Sequence, residues 1–216
     1  MLQRASLVAF FLVLMPATVE AFDHHHHHHA SSGGDGCGSS SSDAPESDPS
    51  TSPPPASATV KRVFVTSSSY SGALGGLPSA DAQCQSRAIA HGLPGVFRAW
   101  LSDATTNAYD RMADVGPWYT ASNELAFATK ADLLGAPRSD LLDELGGYPE
   151  GPGAKGAWSG SDAAGVASGK DCDGWTNATA NAQATTGTAL GSDATWGGGS
   201  APLRCDGKAP LICFQQ

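Results

Sequence analysis

Hydrophobic positions divide the chain into three stretches of different character. From Leu7 to Met15 they are continuous (LVAFFLVLM), preceded by Arg4 and followed by the small residues of Ala17-Thr18-Val19-Glu20-Ala21. A basic start, a short apolar run and a small-residue end are the parts of a secretory signal peptide, expected over residues 1–21. The run is about half the ~20 residues that a membrane-spanning helix needs. From Ser31 to Thr59 large apolar residues almost vanish, and Ser, Pro, Asp and Gly take over. Such a segment buries too little surface to offset its ordering entropy, so 31–59 is expected to be a disordered tether, stiffened by Pro53-Pro54-Pro55. Ordered structure is expected to begin near Val60, which leaves a length suited to one domain over 60–216.

Within that domain the pattern predicts short elements. Val60 to Thr66 is β-branched and alternating, a first strand. Ala80, Cys84 and Ala88 recur every four residues, which predicts a helix over 79–91 that buries a narrow stripe. Ser79 is its expected N-cap, Asp81 favours its first turn, and Gly92 stops it. Phe97 to Ser102 reads as a short strand, and Val115 to Thr120 as a second short aromatic segment. Asn123 to Leu134 fits either helix or irregular structure. Ser139 to Leu145 (SDLLDEL) predicts a helical turn or short helix, capped by Ser139 and ended by Gly146-Gly147. The remainder is long, rich in glycine and punctuated by tryptophan.

Composition adds constraints to this outline. The chain has a formal charge of −9, and residues 60–216 carry −4, from 11 Lys or Arg against 15 Asp or Glu. That balance, without a basic cluster, argues against nucleic acid, heparin-like polyanions and anionic membranes as partners. His24 to His29 is read as an affinity tag within a tag region, 22–30, and plays no part in site reasoning. Cys37, followed by Gly38 and four serines, looks like the first mature residue of a lipoprotein, although the preceding Gly34-Asp35-Gly36 is not the usual apolar context. A lipid on Cys37 would be the one membrane attachment, and the tether would lift the domain off the surface. The chain as written is expected to be secreted, and its natural form to be an envelope or surface lipoprotein.

Four further cysteines, Cys84, Cys172, Cys205 and Cys213, fall in the domain. An even count in an exported chain reads as a disulfide framework, and spacing alone leaves all three pairings open. Cys-x-x-Cys and His-x-x-x-His spacings are absent from the domain, and His91 is its only histidine. No metal site and no cofactor are therefore expected. Trp100, Trp118, Trp158, Trp175 and Trp196 are expected to fill a core otherwise short of large side chains. Trp158 or Trp175, on a loop, would alternatively stack on a sugar face.

Two stretches resemble known families. Gly75-Gly76-Leu77-Pro78-Ser79-Ala80-Asp81-Ala82-Gln83-Cys84, followed by Phe97-Arg98-Ala99-Trp100-Leu101-Ser102, resembles the opening of the endostatin-like domain at the C-terminus of certain collagens. Trp158-Ser159-Gly160, Cys172-Asp173-Gly174-Trp175-Thr176, Trp196, Cys205 and Ile212-Cys213-Phe214 resemble a bacterial family of unknown function found in exported proteins and lipoproteins. The likeness covers nearly all of 62–216. It implies an α+β, C-type-lectin-like (endostatin-like) fold: short helices around a small mixed, mainly antiparallel sheet with long Gly-rich loops. It also implies the pairs Cys84–Cys213 and Cys172–Cys205. The Glu-Pro-Asn and Trp-Asn-Asp motifs of calcium-dependent lectins are missing: Ser161-Asp162-Ala163-Ala164 stands ahead of Cys172, and Trp196-Gly197-Gly198 ahead of Cys205.

For function, Trp158, Trp175, Asp171, Asp173 and Asn177 are the candidate ligand-binding residues. Asp171, Asp173 and Asn177 would supply oxygen ligands if calcium were bound, but the plainer reading is a solvated turn. Asn177-Ala178-Thr179 is a glycosylation sequon of little meaning in a bacterial protein. Asp140, Asp143 and Glu144 imitate a hydrolytic carboxylate pair, yet read better as a solvated helix face. No Gly-x-Ser-x-Gly stands in the domain, and no catalytic residue is expected. The expectation is a non-catalytic binding module for a glycan or protein ligand, with a structural role in the envelope as the alternative and an enzyme as the least favoured.

Overall fold

The computed structural model describes residues 60–149, 156–190 and 193–216. The expected leader at 1–21, the tag region at 22–30 and the tether at 31–59 with Cys37 all lie outside the described residues. The fold is α+β. Among the described residues eight strands form two sheets: β1 (Lys61–Val65), β2 (Phe97–Ala99), β3 (Trp118–Tyr119), β4 (Leu125–Phe127), β5 (Ala157–Trp158), β6 (Gln183–Gly187), β7 (Ser200–Arg204) and β8 (Ile212–Gln215). A five-stranded sheet runs β2-β8-β1-β3-β4, with β1–β3 parallel and its other pairs antiparallel. The antiparallel sheet β5-β6-β7 stands beside it.

The long helix α1 spans Gly76–Ala90, three residues earlier than its sequence pattern predicts. Gly75 takes a left-handed φ of 86° and starts the helix, so Ser79 lies inside it and makes no cap hydrogen bond. Pro78 is tolerated there because the first turn has no partner for its N–H. Leu77, Ala80, Cys84 and Ala88 form the buried stripe, and Gly92 follows the end at φ 68°. Asp81 does more than favour the dipole. Its carboxylate accepts from the Ala99 N–H of β2, and both of its oxygens accept from Arg111 Nη2.

Two cores lie on opposite faces of the five-stranded sheet. Phe64 and Cys213 face α1, Trp158 and Trp175; Val63, Val65, Ile212 and Phe214 face Trp100, Trp118, Phe127 and Trp196. This is the two-residue alternation of strands buried on both sides. Phe214 touches Trp100, Trp118, Phe127 and Trp196 at ring separations of 5.7–5.8 Å.

All five tryptophans are fully buried, and each indole N–H donates to the backbone carbonyl of a distant residue. Trp100 donates to Gly197, Trp118 to Gln215, Trp158 to Tyr70, Trp175 to Ser102 and Trp196 to Gly135, at 2.7–2.8 Å. Buried carbonyls and indoles need partners, so one side chain both fills the core and fastens a loop. The small-residue loops acquire fixed positions in this way despite having little bulk of their own.

Two disulfides complete the frame. Cys84–Cys213 ties α1 to β8, and Cys172–Cys205 ties the turn at 172–175 to the residue just after β7. That turn holds Cys172, Asp173 and Trp175 at positive φ.

The Trp158-Ser159-Gly160 motif has a steric reason. Gly160 sits at φ 62°, and a Cβ there would meet the Ser102 carbonyl at 2.6 Å and the Trp175 ring at 2.9 Å. Gly160→Ala is expected to lower unfolding free energy by about 3 kcal/mol, from overpacking plus the left-handed backbone. A urea midpoint equal to wild type would refute this.

One expected element is absent. Ser139 to Leu145 is not a helix: the chain is extended enough for Asp143 to bridge Val65, and Val65 N–H donates to Leu142. Leu141 and Leu142 are buried, whereas Leu145, which a helix would place on their face, is exposed. Asn123 to Leu134, open between helix and irregular structure, contains β4 and a 3-10 turn at Lys130–Leu134 capped by Thr129 and Asp132.

Candidate functional site

The expected ligand residues fall into two groups. Trp158 and Trp175 pack edge to face at 5.9 Å, with no surface exposed. Neither has a face for a sugar, because both are spent on the core and on holding Tyr70 and Ser102.

Asp171, Asp173 and Asn177 do come together on the surface. Asp171 and Asp173 line a shallow groove of about 270 Å³ with Lys170 and Gln183. Their polar atoms are largely engaged locally. Asp171 accepts from Gly174 N–H, Asp173 from the Asn177 amide, and Asn177 from Thr179 N–H. These are turn-forming contacts. Among the described residues no group of three His, Cys, Asp or Glu is placed to hold a metal ion.

A different surface has more of the properties of a site. Two open grooves, of about 480 and 580 Å³, share Gly146 and Tyr148. The first is walled by Ser122 and Glu124 on one side and by Arg138, Ser139 and Asp140 on the other. The second runs past Ser67, Asp143 and Leu145. Tyr148 is 59% exposed and Leu145 65% exposed, so two large side chains stand out between the grooves. The Tyr148 hydroxyl lies 3.4 Å from an Asp140 carboxylate oxygen.

The walls are held from beneath. Arg62 of β1 donates to the Thr120 carbonyl and the Asn123 side chain, fixing the β3–β4 turn that bears Ser122 and Glu124. The opposite wall is stitched to β4, since Arg138 N–H donates to Ala126. The ridge is set by two acidic side chains. One Asp143 oxygen accepts from both the Leu145 and Gly147 N–H groups, closing the turn. Gly146 supplies its left-handed φ of 80°.

Glu144 points inward instead, and its side chain is fully buried. It accepts from the Ser67 N–H and hydroxyl at 2.8 Å and pairs with Arg87 of α1. Burial alone would raise its carboxyl pKa; hydrogen bonds from backbone, Ser67 and Arg87 outweigh that and hold it below the ordinary glutamate value. Tyr70, near the same pair, is pushed up, chiefly by burial and also by Glu144, against the lowering influence of Arg87.

Asp140, Asp143 and Glu144 thus do not share a solvated face. One lines a groove, one closes a turn and one is buried in an ion pair. Sequence reasoning passed over Tyr148, whose signal was an aromatic directly after Gly146-Gly147. The chain matches no known family and no curated protein. Among the described residues no helix is long and apolar enough to cross a membrane. Two disulfides fit an oxidising compartment.

Proposed function

We propose that this chain is an exported, non-catalytic binding module with a C-type-lectin-like fold, displayed from the cell envelope through Cys37 and the 31–59 tether. The observation that supports it best is the Tyr148 ridge. Two buried or half-buried carboxylates, an arginine and a serine hold a surface turn in one shape, and that turn presents Tyr148 and Leu145 to solvent. Ordering a loop costs conformational entropy. A loop ordered before contact spares the complex that cost, which is how a rigid surface gains affinity. The mixed sheet, the two disulfides and the long fastened loops are consistent with the fold that the sequence resembles. The non-catalytic reading is supported by Asp143 and Glu144, whose carboxylates are occupied in holding the turn.

The test is binding of the purified protein to a native envelope fraction by sedimentation. Tyr148→Ala is expected to weaken retention at least tenfold with an unchanged melting temperature, because the side chain is largely exposed. Equal retention by the variant would remove the ridge as the recognition surface. For the anchor, an unmodified Cys37 in membrane-extracted native protein would overturn lipidation.

A further inference from the structure

Resting on the binding-module reading, we infer that the ridge and its two grooves take an uncharged glycan chain, with Tyr148 as the stacking platform. Three features select that ligand chemistry. The first is composition: an exposed aromatic ring lies beside carboxylates (Asp140, Glu124), a guanidinium (Arg138) and hydroxyls (Ser122, Ser139). A pyranose offers both an apolar C–H face and a rim of hydroxyls that donate and accept. Carboxylates accept from paired hydroxyls, and the arginine donates to them. The ring's body is apolar and its tip polar, which suits a ligand of that mixed character.

The second feature is charge. The charged lining of the two grooves is Arg138 against Glu124 and Asp140 in the first and Asp143 in the second, an acidic excess. That excess disfavours a polyanion, and so disfavours sulfated and uronic chains as ligands.

The third feature is shape. Both grooves are open and lie side by side about the Tyr148 ridge. Sites for single small molecules enclose most of the ligand. An open double groove instead suits a chain that crosses the ridge and continues. A peptide would reach the same place by adding a strand to β4, at the end of the five-stranded sheet. That edge is taken: Arg138 N–H donates to Ala126 at 3.0 Å, and the Ser139 hydroxyl approaches the Leu125 carbonyl at 3.4 Å.

Affinity electrophoresis tests this, in native gels containing galactomannan, yeast mannan, arabinoxylan or xyloglucan, all of which carry vicinal diols. Heparin and polygalacturonate serve as anionic comparisons. EDTA is present throughout, because among the described residues no three His, Cys, Asp or Glu side chains are grouped to hold a metal ion. At least one neutral polysaccharide is expected to retard the wild type. Tyr148→Ala should weaken this at least tenfold, and Tyr148→Trp should retain it. Absence of retardation by every neutral chain overturns the inference, as does stronger retardation by the anionic ones or an unaffected Tyr148→Ala. Treated envelope fractions separate this failure from failure of the binding reading. Periodate, which cleaves vicinal diols, should abolish sedimentation while protease leaves it. The reverse pattern overturns the glycan and leaves a protein-binding module; no sedimentation with untreated envelope overturns the module itself.

Discussion

Replacing the outer disulfide, as Cys84→Ala with Cys213→Ala, is expected to lower unfolding free energy by about 5 kcal/mol. Its cysteines are 129 residues apart, whereas those of the inner pair are 33 apart. Loop-closure entropy grows with the logarithm of that separation, which predicts about 5 kcal/mol for the outer bond and about 4 for the inner one. Packing adds to the difference. Cys84 and Cys213 sit where the buried stripe of α1 meets the interior strand β8, and both are completely buried. Reversible urea unfolding under non-reducing conditions measures both variants. An outer variant no less stable than the inner one would refute the entropic ordering. The inner variant should keep its Tyr148 binding, because neither Cys172 nor Cys205 lines the grooves beside the ridge.

The second large effect concerns the ion pair beneath the ridge, and it is asymmetric. Arg87→Ala leaves a fully buried carboxylate without its cation and should cost about 4 kcal/mol. Glu144→Gln leaves Arg87, which is 26% exposed and able to draw on water, and should cost about 2 kcal/mol. The same pair makes stability depend on pH. Glu144 has a lower pKa folded than unfolded, where glutamate titrates near about 4.3. The unfolded chain therefore takes up its proton first as pH falls. The stabilisation is complete above the unfolded value and is lost as pH falls through the lower, folded one. Unfolding measured from pH 6 down to pH 2 should show a shallower acid decline in Glu144→Gln than in wild type. Some decline will remain, since Asp103 and Asp193 are also held below their ordinary values. For Asp103, burial opposes the lowering and hydrogen bonds from Thr105 and Thr106 prevail; for Asp193, bonds from Thr195 dominate. Identical acid profiles would show that Glu144 is not the group responsible. Arg87→Ala should also weaken envelope binding, because the ridge loses its tie to α1.

Much of the frame was readable from residues alone. The alternation from Val60 to Thr66 located β1, the four-residue spacing of Ala80, Cys84 and Ala88 located the buried stripe of α1, and Gly92 located its end. These are local features, fixed by neighbours within a turn or a strand. Composition indicated that the tryptophans would form the core. The pairings Cys84–Cys213 and Cys172–Cys205 followed from resemblance and are those found in the structure, whereas spacing left three choices.

The site was less readable, and for one physical reason. Whether Trp158 faces solvent or Tyr70, and whether Glu144 faces water or Arg87, depends on partners 88 and 57 residues away. The SDLLDEL stretch has helical local preferences, but bridging to Val65 and pairing Glu144 with Arg87 hold it in an extended run that ends in a turn. Its acidic residues looked like a solvated face and instead became the fastening of a turn. The sequence by itself determined an exported-looking chain with a four-cysteine domain, a stripe-bearing helix and a tryptophan-filled interior. Only the tertiary structure decided which aromatic was left outside. Five indole N–H groups found buried carbonyls and went inward, while Tyr148, on a turn held by Asp143 and Glu144, remained at the surface.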